Sequence, residues 1–456
     1  MSNSFDSPPT TSSVDSMPPK QTEKKGILRF LSKTPDNVDQ PPDGGLTAWL
    51  QVLGCFFVFM NTFGVAFTFG VYQVYYETIM LPTHSASAIA WIGTLQSSLI
   101  MIVGILSGPL FDKGLFFPVL LVGSVGLIFS FMMLSICKVY WQVILCQGLL
   151  AGISCGLLYI PSISQVPLYF SSKKGRAVSI VTAGGPFGGI IYPLMLRYLI
   201  PSVGFAKATR AVGFLILALQ ITAIVLIKPL NVANRPKKLR DPTMFKDPSY
   251  VAYLIAAFIY LCCVFIPYFD CGIFYLAKFD LNLDHAFYTL LIINAGNVVG
   301  RLLLPSLTDF GIGADSLMNI SCGSLVALGF GWIGIKTKAA YYVWLILWGI
   351  LSAGVMTLPA VEMPFLCPRP EVFATRMGLV FAVGGIGLLI SAPIANALIK
   401  HQTNYLGAQL WIGITATLGL PFVIYSGIGA RRNRKAFMAA KGSKQSDAIP
   451  LDSSKA

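Results

Sequence analysis

One arginine, Arg301, lies within a run otherwise built almost wholly from Leu, Val, Ile, Ala and Gly, and two asparagines precede it at helical spacing. Asn294, Asn297 and Arg301 fall at i, i+3 and i+7, so a helix puts all three on one face. A guanidinium fork can hold a carboxylate through two parallel hydrogen bonds. The two amides beside it can donate to, or accept from, the rest of a ligand. This stripe is a candidate substrate-binding face, with Arg301 as the anion anchor and Asn297 and Asn294 beside it. The competing reading is structural: an arginine tied to Asp309 or to backbone carbonyls.

Other polar residues also interrupt apolar runs. Asp270, in Phe269-Asp270-Cys271-Gly272, is the candidate carrier of a coupling proton, because burial favours the neutral form of a carboxyl. Asn61, Thr68 and Tyr159 are candidates for hydrogen-bonding a substrate, with bonding between helices as the alternative. Asp112 and Asp309 sit in two copies of one motif, Leu110-Phe111-Asp112-Lys113-Gly114 and Leu307-Thr308-Asp309-Phe310-Gly311. Both read L-x-D-x-G with a proline upstream, and both aspartates are candidates for conformational gating. Glu362 reads as a contact at a helix end.

The elements that carry these residues follow from hydropathy. The chain has 456 residues, 55% hydrophobic and 11% charged, against about 25% charged in an ordinary soluble domain. Not one formal charge falls between Leu46 and Val71. About 20 apolar residues suffice to cross a bilayer as a helix, and the short alternation of a membrane barrel is absent. Twelve such runs are expected, the first ending at Val71 and the last at Ile428. The fold class is therefore an all-α integral membrane protein. A basic linker at 228–249 divides it into six-helix halves, 46–227 and 250–428, with disordered cytoplasmic tails at 1–45 and 429–456. The two L-x-D-x-G motifs end the second and eighth spans, which are equivalent positions if the halves are duplicates. Lys and Arg are biased towards the loops and tails of one side, among them Lys173, Lys174, Lys237, Lys238, Arg431 and Arg432, which places both termini in the cytoplasm.

Several function classes drop out. The net charge of +14 sits in short loops and tails and does not indicate nucleic acid. The nine cysteines lack metal-ligand spacing, and His84, His285 and His401 are too scattered for a metal site. The Gly184–Gly189 run lies too deep in a span to cradle phosphate. No cofactor, no metal and no enzymatic activity are expected, and no cleavable signal precedes the first span.

Four stretches carry a family resemblance. They are Asp43-Gly44-Gly45-Leu46-Thr47-Ala48-Trp49; Tyr169-Phe170 with Lys173-Lys174, Ala177, Gly184 and Gly188; Gly300-Arg301 with Asp309-Phe310-Gly311; and Pro393-Ile394-Ala395-Asn396-Ala397-Leu398-Ile399. Over roughly 43–428 the chain resembles the monocarboxylate-transporter-like family, specifically its fungal branch. The resemblance implies a major facilitator fold and movement of a small organic solute, with carboxylate-bearing metabolites as the candidate class, by alternating access. Animal members carry a lysine deep in the first span and an aspartate one turn before the arginine. Here 66–68 has no lysine, and Asn297 takes the place of the aspartate, which argues against lactate-type proton symport. Coupling to protons by another route stays open. The expected partners are a small-molecule substrate, protons and membrane lipid, for a monomer in the plasma membrane or, alternatively, a vacuolar or other internal membrane. The rival reading is a solute-sensing receptor without net transport.

Overall fold

Backbone groups in lipid have no water to bond, so each long apolar run closes its hydrogen bonds internally as a helix. The computed structural model describes residues 44–170, 173–229, 244–279, 283–367, 373–399 and 404–446. Among them are twelve helices long and apolar enough to cross a membrane. In chain order these are α1 (Gly45–Met80), α2 (Ala86–Phe111), α3 (Phe116–Leu134), α4 (Tyr140–Gln165), α5 (Lys174–Val203), α6 (Phe205–Leu226), α7 (Pro248–Lys278), α8 (Asp284–Phe310), α9 (Ala314–Gly334), α10 (Lys338–Leu366), α11 (Arg376–Ala397) and α12 (Leu406–Ala436). Their number and order agree with the expected spans. The N-terminal tail to residue 43, the linker over 230–243 and His401 lie outside the described residues.

Two boundaries differ most. Helix α1 runs to Met80 rather than Val71, the last five residues wound as a π-helix. The hydropathy falls at Gln73 and Glu77, but the helix does not end there. The chain after 428 is not a disordered tail up to Ser446, because α12 continues as helix to that residue. Arg431 donates from Nε to Asp315 Oδ2 at 2.8 Å, Arg434 lies 3.8 Å from the same carboxylate, and Asn433 donates to the Phe365 carbonyl at 2.9 Å. These contacts hold the extra turns against α9 and α10.

Small residues let the helices approach. A Cβ on Gly184 or Gly188 of α5 would come within 2.3 Å of the Phe56 carbonyl or 2.5 Å of the Met60 carbonyl in α1. On α11, Gly387 meets the Phe258 carbonyl of α7 in the same way, at 2.3 Å. Helices α1 and α5 thus pack by the same device as α7 and α11, which is backbone contact through glycine. Both L-x-D-x-G motifs end on a glycine at positive φ, 79° at Gly114 and 91° at Gly311.

Five helices are interrupted part-way, α2 among them, at Val103. Helix α1 breaks at Thr68, α10 at Leu358, and α4 is π-wound over Ile144–Leu150. Helix α7 stops at Leu261 and restarts at Ile266. Pro267 has no N–H to close the preceding turn. Two indoles take up freed carbonyls there: Trp411 donates to Cys262 and Trp348 to Val264, each at 3.2 Å. Broken helices supported by neighbouring side chains are the usual frame of a transporter's central site.

Candidate functional site

The centre of the molecule is organised by a proline and an arginine on different helices. An α-helical carbonyl accepts from the N–H four residues later. The carbonyl of Thr182 in α5 therefore looks to residue 186, which is proline and has no N–H. Arg301 of α8 supplies the missing donor, with Nη1 lying 2.9 Å from the Thr182 oxygen. Its Nε donates to Asn297 Oδ1 at 2.8 Å, and Nη2 lies 3.2 Å from the Met356 sulfur. The guanidinium carbon sits 5.7 Å from the ring centres of both Phe63 and Phe67. Arg301 is 2% exposed.

Asn297 extends the network. Its Nδ2 donates to Tyr268 Oη at 2.7 Å and to the Gly349 carbonyl at 3.1 Å. Tyr268 in turn meets Ser352 Oγ at 2.8 Å. One chain of bonds thus joins α5, α8, α7 and α10. Tyr159 of α4 stacks edge-on against Phe63 at 5.1 Å and Phe381 at 5.4 Å, and lies within electrostatic reach of Arg301.

No described carboxylate takes part. Arg301 makes none of the ion pairs among the described residues, so it is a buried permanent cation held by a carbonyl, an amide, a sulfur and two aromatic faces. Of the structural alternative, the Asp309 clamp is not found, whereas the bond to a backbone carbonyl is, at Thr182. Asp309 accepts instead from the backbone N–H of Arg176 at 3.1 Å, and its other oxygen fills the space where a Gly175 Cβ would stand, 2.5 Å away. It caps the first turn of α5, where an anion is stabilised by the helix dipole. The Asp112 side chain lies outside the described residues.

A cavity of about 30 Å³ opens beside this network, lined by Met101, Tyr253, Tyr260, Met318, Met356 and Phe381 among others. That is room for a water or two rather than a large solute. Met356 belongs to both the cavity and the arginine's surroundings, and Phe381 to both the cavity and Tyr159.

The remaining sequence candidates are placed elsewhere. Asn294 shares the stripe with Arg301 but donates to its own helix at Leu290, 2.9 Å away; its Oδ1 faces Gly189 and has no partner. Asn61 is tied to the Ile216 carbonyl at 3.4 Å and accepts from Tyr192 Oη, which joins α1, α5 and α6. Thr68 bonds back to the Gly64 carbonyl at 2.7 Å, at the break in α1. Neither Asn61 nor Thr68 enters the Arg301 network. Asp270 is 1% exposed and takes part in a separate group with Gln73 and Asn396. Glu362 is buried, with Oε2 unpartnered. Sequence reasoning missed Thr182, Tyr268, Ser352 and Met356. For Thr182 the signal was Pro186, four residues on.

Contacts at three levels tie α5 to α8 along their length. At the face carrying the start of α1 and the end of α12, hereafter the terminal face, Asp309 caps α5. In the middle Arg301 holds Thr182. At the opposite face Arg197 pairs with Asp284 and lies over the rings of Phe287 and Tyr288, at 4.7 and 5.7 Å.

Comparison with known proteins gives one superfamily. The profile described as Major Facilitator Superfamily matches residues 53–392. The MFS-type transporter dbaD of Emericella nidulans is 35% identical over 376 residues, 82% of this chain and 84% of the relative. The aspyridones efflux protein apdF of the same fungus is 34% identical over 421 residues, 90% of this chain and 85% of the relative. The fujikurins efflux protein of Gibberella fujikuroi is 30% identical, covering 85% of this chain and 83% of the relative. These are fungal efflux and MFS-type transporters; none carries a monocarboxylate-porter name.

Proposed function

Because the chain belongs to the Major Facilitator Superfamily, we propose that it is a secondary transporter that exports an organic acid with a sizeable apolar body. The observation that carries this reading is the state of Arg301, which is buried, permanently charged and without an anionic partner among the described residues. A cation on a membrane helix costs roughly 2.5 kcal/mol or more. The Thr182 carbonyl, the Asn297 amide and the faces of Phe63 and Phe67 offset part of that cost but leave the charge uncancelled. A substrate anion cancels it. The apolar body has its own surroundings in Met101, Met318, Met356, Tyr260 and Phe381, where flexible thioethers and rings adapt to varied shapes. The direction, export, follows the two relatives that are named efflux proteins. The monocarboxylate-like reading narrows to the anion-binding step and drops small substrates such as lactate.

The cycle is alternating access at this site, with the terminal face in the cytoplasm and the plasma membrane as the expected location. Opening the terminal face breaks the Asp309 cap on α5, and opening the opposite face breaks Arg197–Asp284. The seam between α5 and α8 is thus the element that must part on each side in turn.

The test is export from a yeast lacking its own exporters, with culture medium screened by mass spectrometry over aromatic and polyketide-type acids. Arg301→Lys keeps the charge but loses the bidentate fork, and should reach the membrane yet export at least ten times more slowly. Normal surface level and normal export for both Arg301→Lys and Arg301→Ala would overturn the anchor.

A further inference from the structure

The segment Gln73–Glu77 belongs to the last turns of α1, beyond the apolar run, yet Gln73 is fully buried. Its Nε2 donates to Glu77 Oε1 at 3.0 Å and to Asp270 Oδ1 of α7 at 3.4 Å. Asn396 of α11 donates to the same Asp270 oxygen at 3.3 Å. The other Asp270 oxygen and Gln73 Oε1 have no hydrogen-bond partner. No described Lys, Arg or His pairs with Asp270 or Glu77. The other titratable groups facing the cluster are Cys271 on α7, Tyr341 on α10 and Tyr405 just before α12, and none of them brings a positive charge.

Two carboxyls that share one amide, one of them buried and with no described cation beside either, do not both ionise without a desolvation and repulsion cost. A proton removes that cost. Placed on Asp270 Oδ2, it turns an unpartnered acceptor into a donor. The cluster also holds an unpartnered acceptor, Gln73 Oε1, on the amide whose Nε2 already lies between the two acids.

We propose that Gln73, Glu77, Asp270 and Asn396 form a proton-binding site that holds the opposite face closed when loaded. The site spans the two sets of six helices, with Gln73 and Glu77 from α1 facing Asp270 and Asn396 from α7 and α11. Beside it Ser87 of α2 donates to the Pro393 carbonyl of α11 at 3.1 Å, so α1, α2, α7 and α11 meet at this level. Loaded, the acids hydrogen-bond through the amide and the face stays shut. Unloaded, two like charges confront each other across the seam, and the face parts. Only an O–H bond forms and breaks, and the proton is exchanged with the solution that the open face admits. The site uses side chains other than Arg301, so it goes beyond the anion reading and stands or falls separately.

The experiment measures the opening directly. Spin labels on Thr83→Cys and Asn404→Cys, both exposed on the opposite face, report the distance across it in nanodiscs, with Cys146 and Cys367 changed to serine. Raising the pH should lengthen the mean distance by several ångströms in the parent. Asp270→Asn and Glu77→Gln each leave at most one charge, so both should stay short at every pH. The infrared absorption of protonated carboxyl should be weaker in Asp270→Asn than in the parent, with Glu362→Gln as the background that removes the other described buried carboxyl with an unpartnered oxygen. Arg301→Lys should keep the parent's response, which separates this proposal from the anion anchor. Should Asp270→Asn fold poorly, Glu77→Gln, at a partly exposed residue, serves alone. A parent distance that ignores pH, or a Glu77→Gln protein that opens like the parent, would overturn the proposal.

Discussion

Arg301 donates to the backbone carbonyl of Thr182 at 2.9 Å, and the carbonyl is free to accept because residue 186 is proline. A defect in α5 and a charge in α8 thus satisfy each other across the central seam. The charge is held by a partner it can leave, since a carbonyl carries no net charge to compete with a carboxylate.

This pairing predicts the effect of Pro186→Ala. Alanine restores the N–H, and the helical bond to Thr182 competes with Arg301. The intrinsic gain of removing an interior proline is about 3 kcal/mol, offset by loss of a hydrogen bond to a charged group, about 1.5–3 kcal/mol. Thermal stability should therefore change little. The arginine, no longer engaged, should bind anions more readily, and the half-saturation for the exported acid should fall, by up to about tenfold for 1.4 kcal/mol released. Thermal unfolding and transport kinetics on the same preparation check both halves. A higher half-saturation would contradict the model of a carbonyl that competes with substrate.

The fold was largely legible, because lipid permits few backbone solutions and apolar runs mark them. Arg301 and Asn297 were legible because polar groups are expensive at that depth. Thr182 was not, since the partner is a backbone atom and only the proline four residues on betrays it. Gln73 and Glu77 were missed for another reason. The apolar run of α1 ends near Val71, and hydropathy cannot tell a helix that stops from one that continues with buried polar side chains. Asn61 and Thr68 looked like Asn297 in sequence, each a polar residue in an apolar run. Nothing in one sequence says whether such a side chain meets a carbonyl of its own bundle or the central network.

Asn61 and Asn297 should therefore fail differently. Either asparagine changed to alanine leaves buried partners unsatisfied, at about 1–3 kcal/mol. Asn61→Ala should lower the amount of protein at the surface, with normal transport per molecule, because Asn61 joins α1, α5 and α6 away from Arg301. Asn297→Ala frees Arg301 Nε and Tyr268 Oη, and should lower transport per surface molecule. Surface biotinylation beside export assays makes the comparison. Equal loss per molecule in both variants would remove the distinction.

Twelve apolar helices among the described residues leave the start of α1 and the end of α12 on one side, and the bias of the basic loops predicts that this side is cytoplasmic. Lys113→Cys and Ser202→Cys test this at exposed positions on the two faces. A membrane-impermeant maleimide added to intact cells should label Ser202→Cys and spare Lys113→Cys until the cells are opened. The reverse pattern would invert the orientation, and with it the direction assigned to each gate.

The cap on α5 gives a prediction with an internal control. Asp309 accepts from the Arg176 N–H at 3.1 Å and lies 3.9 Å from the Arg176 side chain, which is half exposed and adds little. Most of the contact is therefore a carboxylate on a helix N-terminus, worth about 0.5–2 kcal/mol as a cap. Asp309→Ala should loosen closure of the terminal face and slow the cycle several-fold, with little change in half-saturation, since the proposed substrate anchor, Arg301, is two turns away. Gly175→Ala leaves the aspartate in place but sets a Cβ 2.5 Å from its Oδ1, so the carboxylate must withdraw. If the cap is what matters, the two substitutions should give the same kinetic defect, and combining them should add almost nothing. Defects that sum fully in the double variant would mean that Asp309 and Gly175 act on separate steps, and the cap would not be the latch.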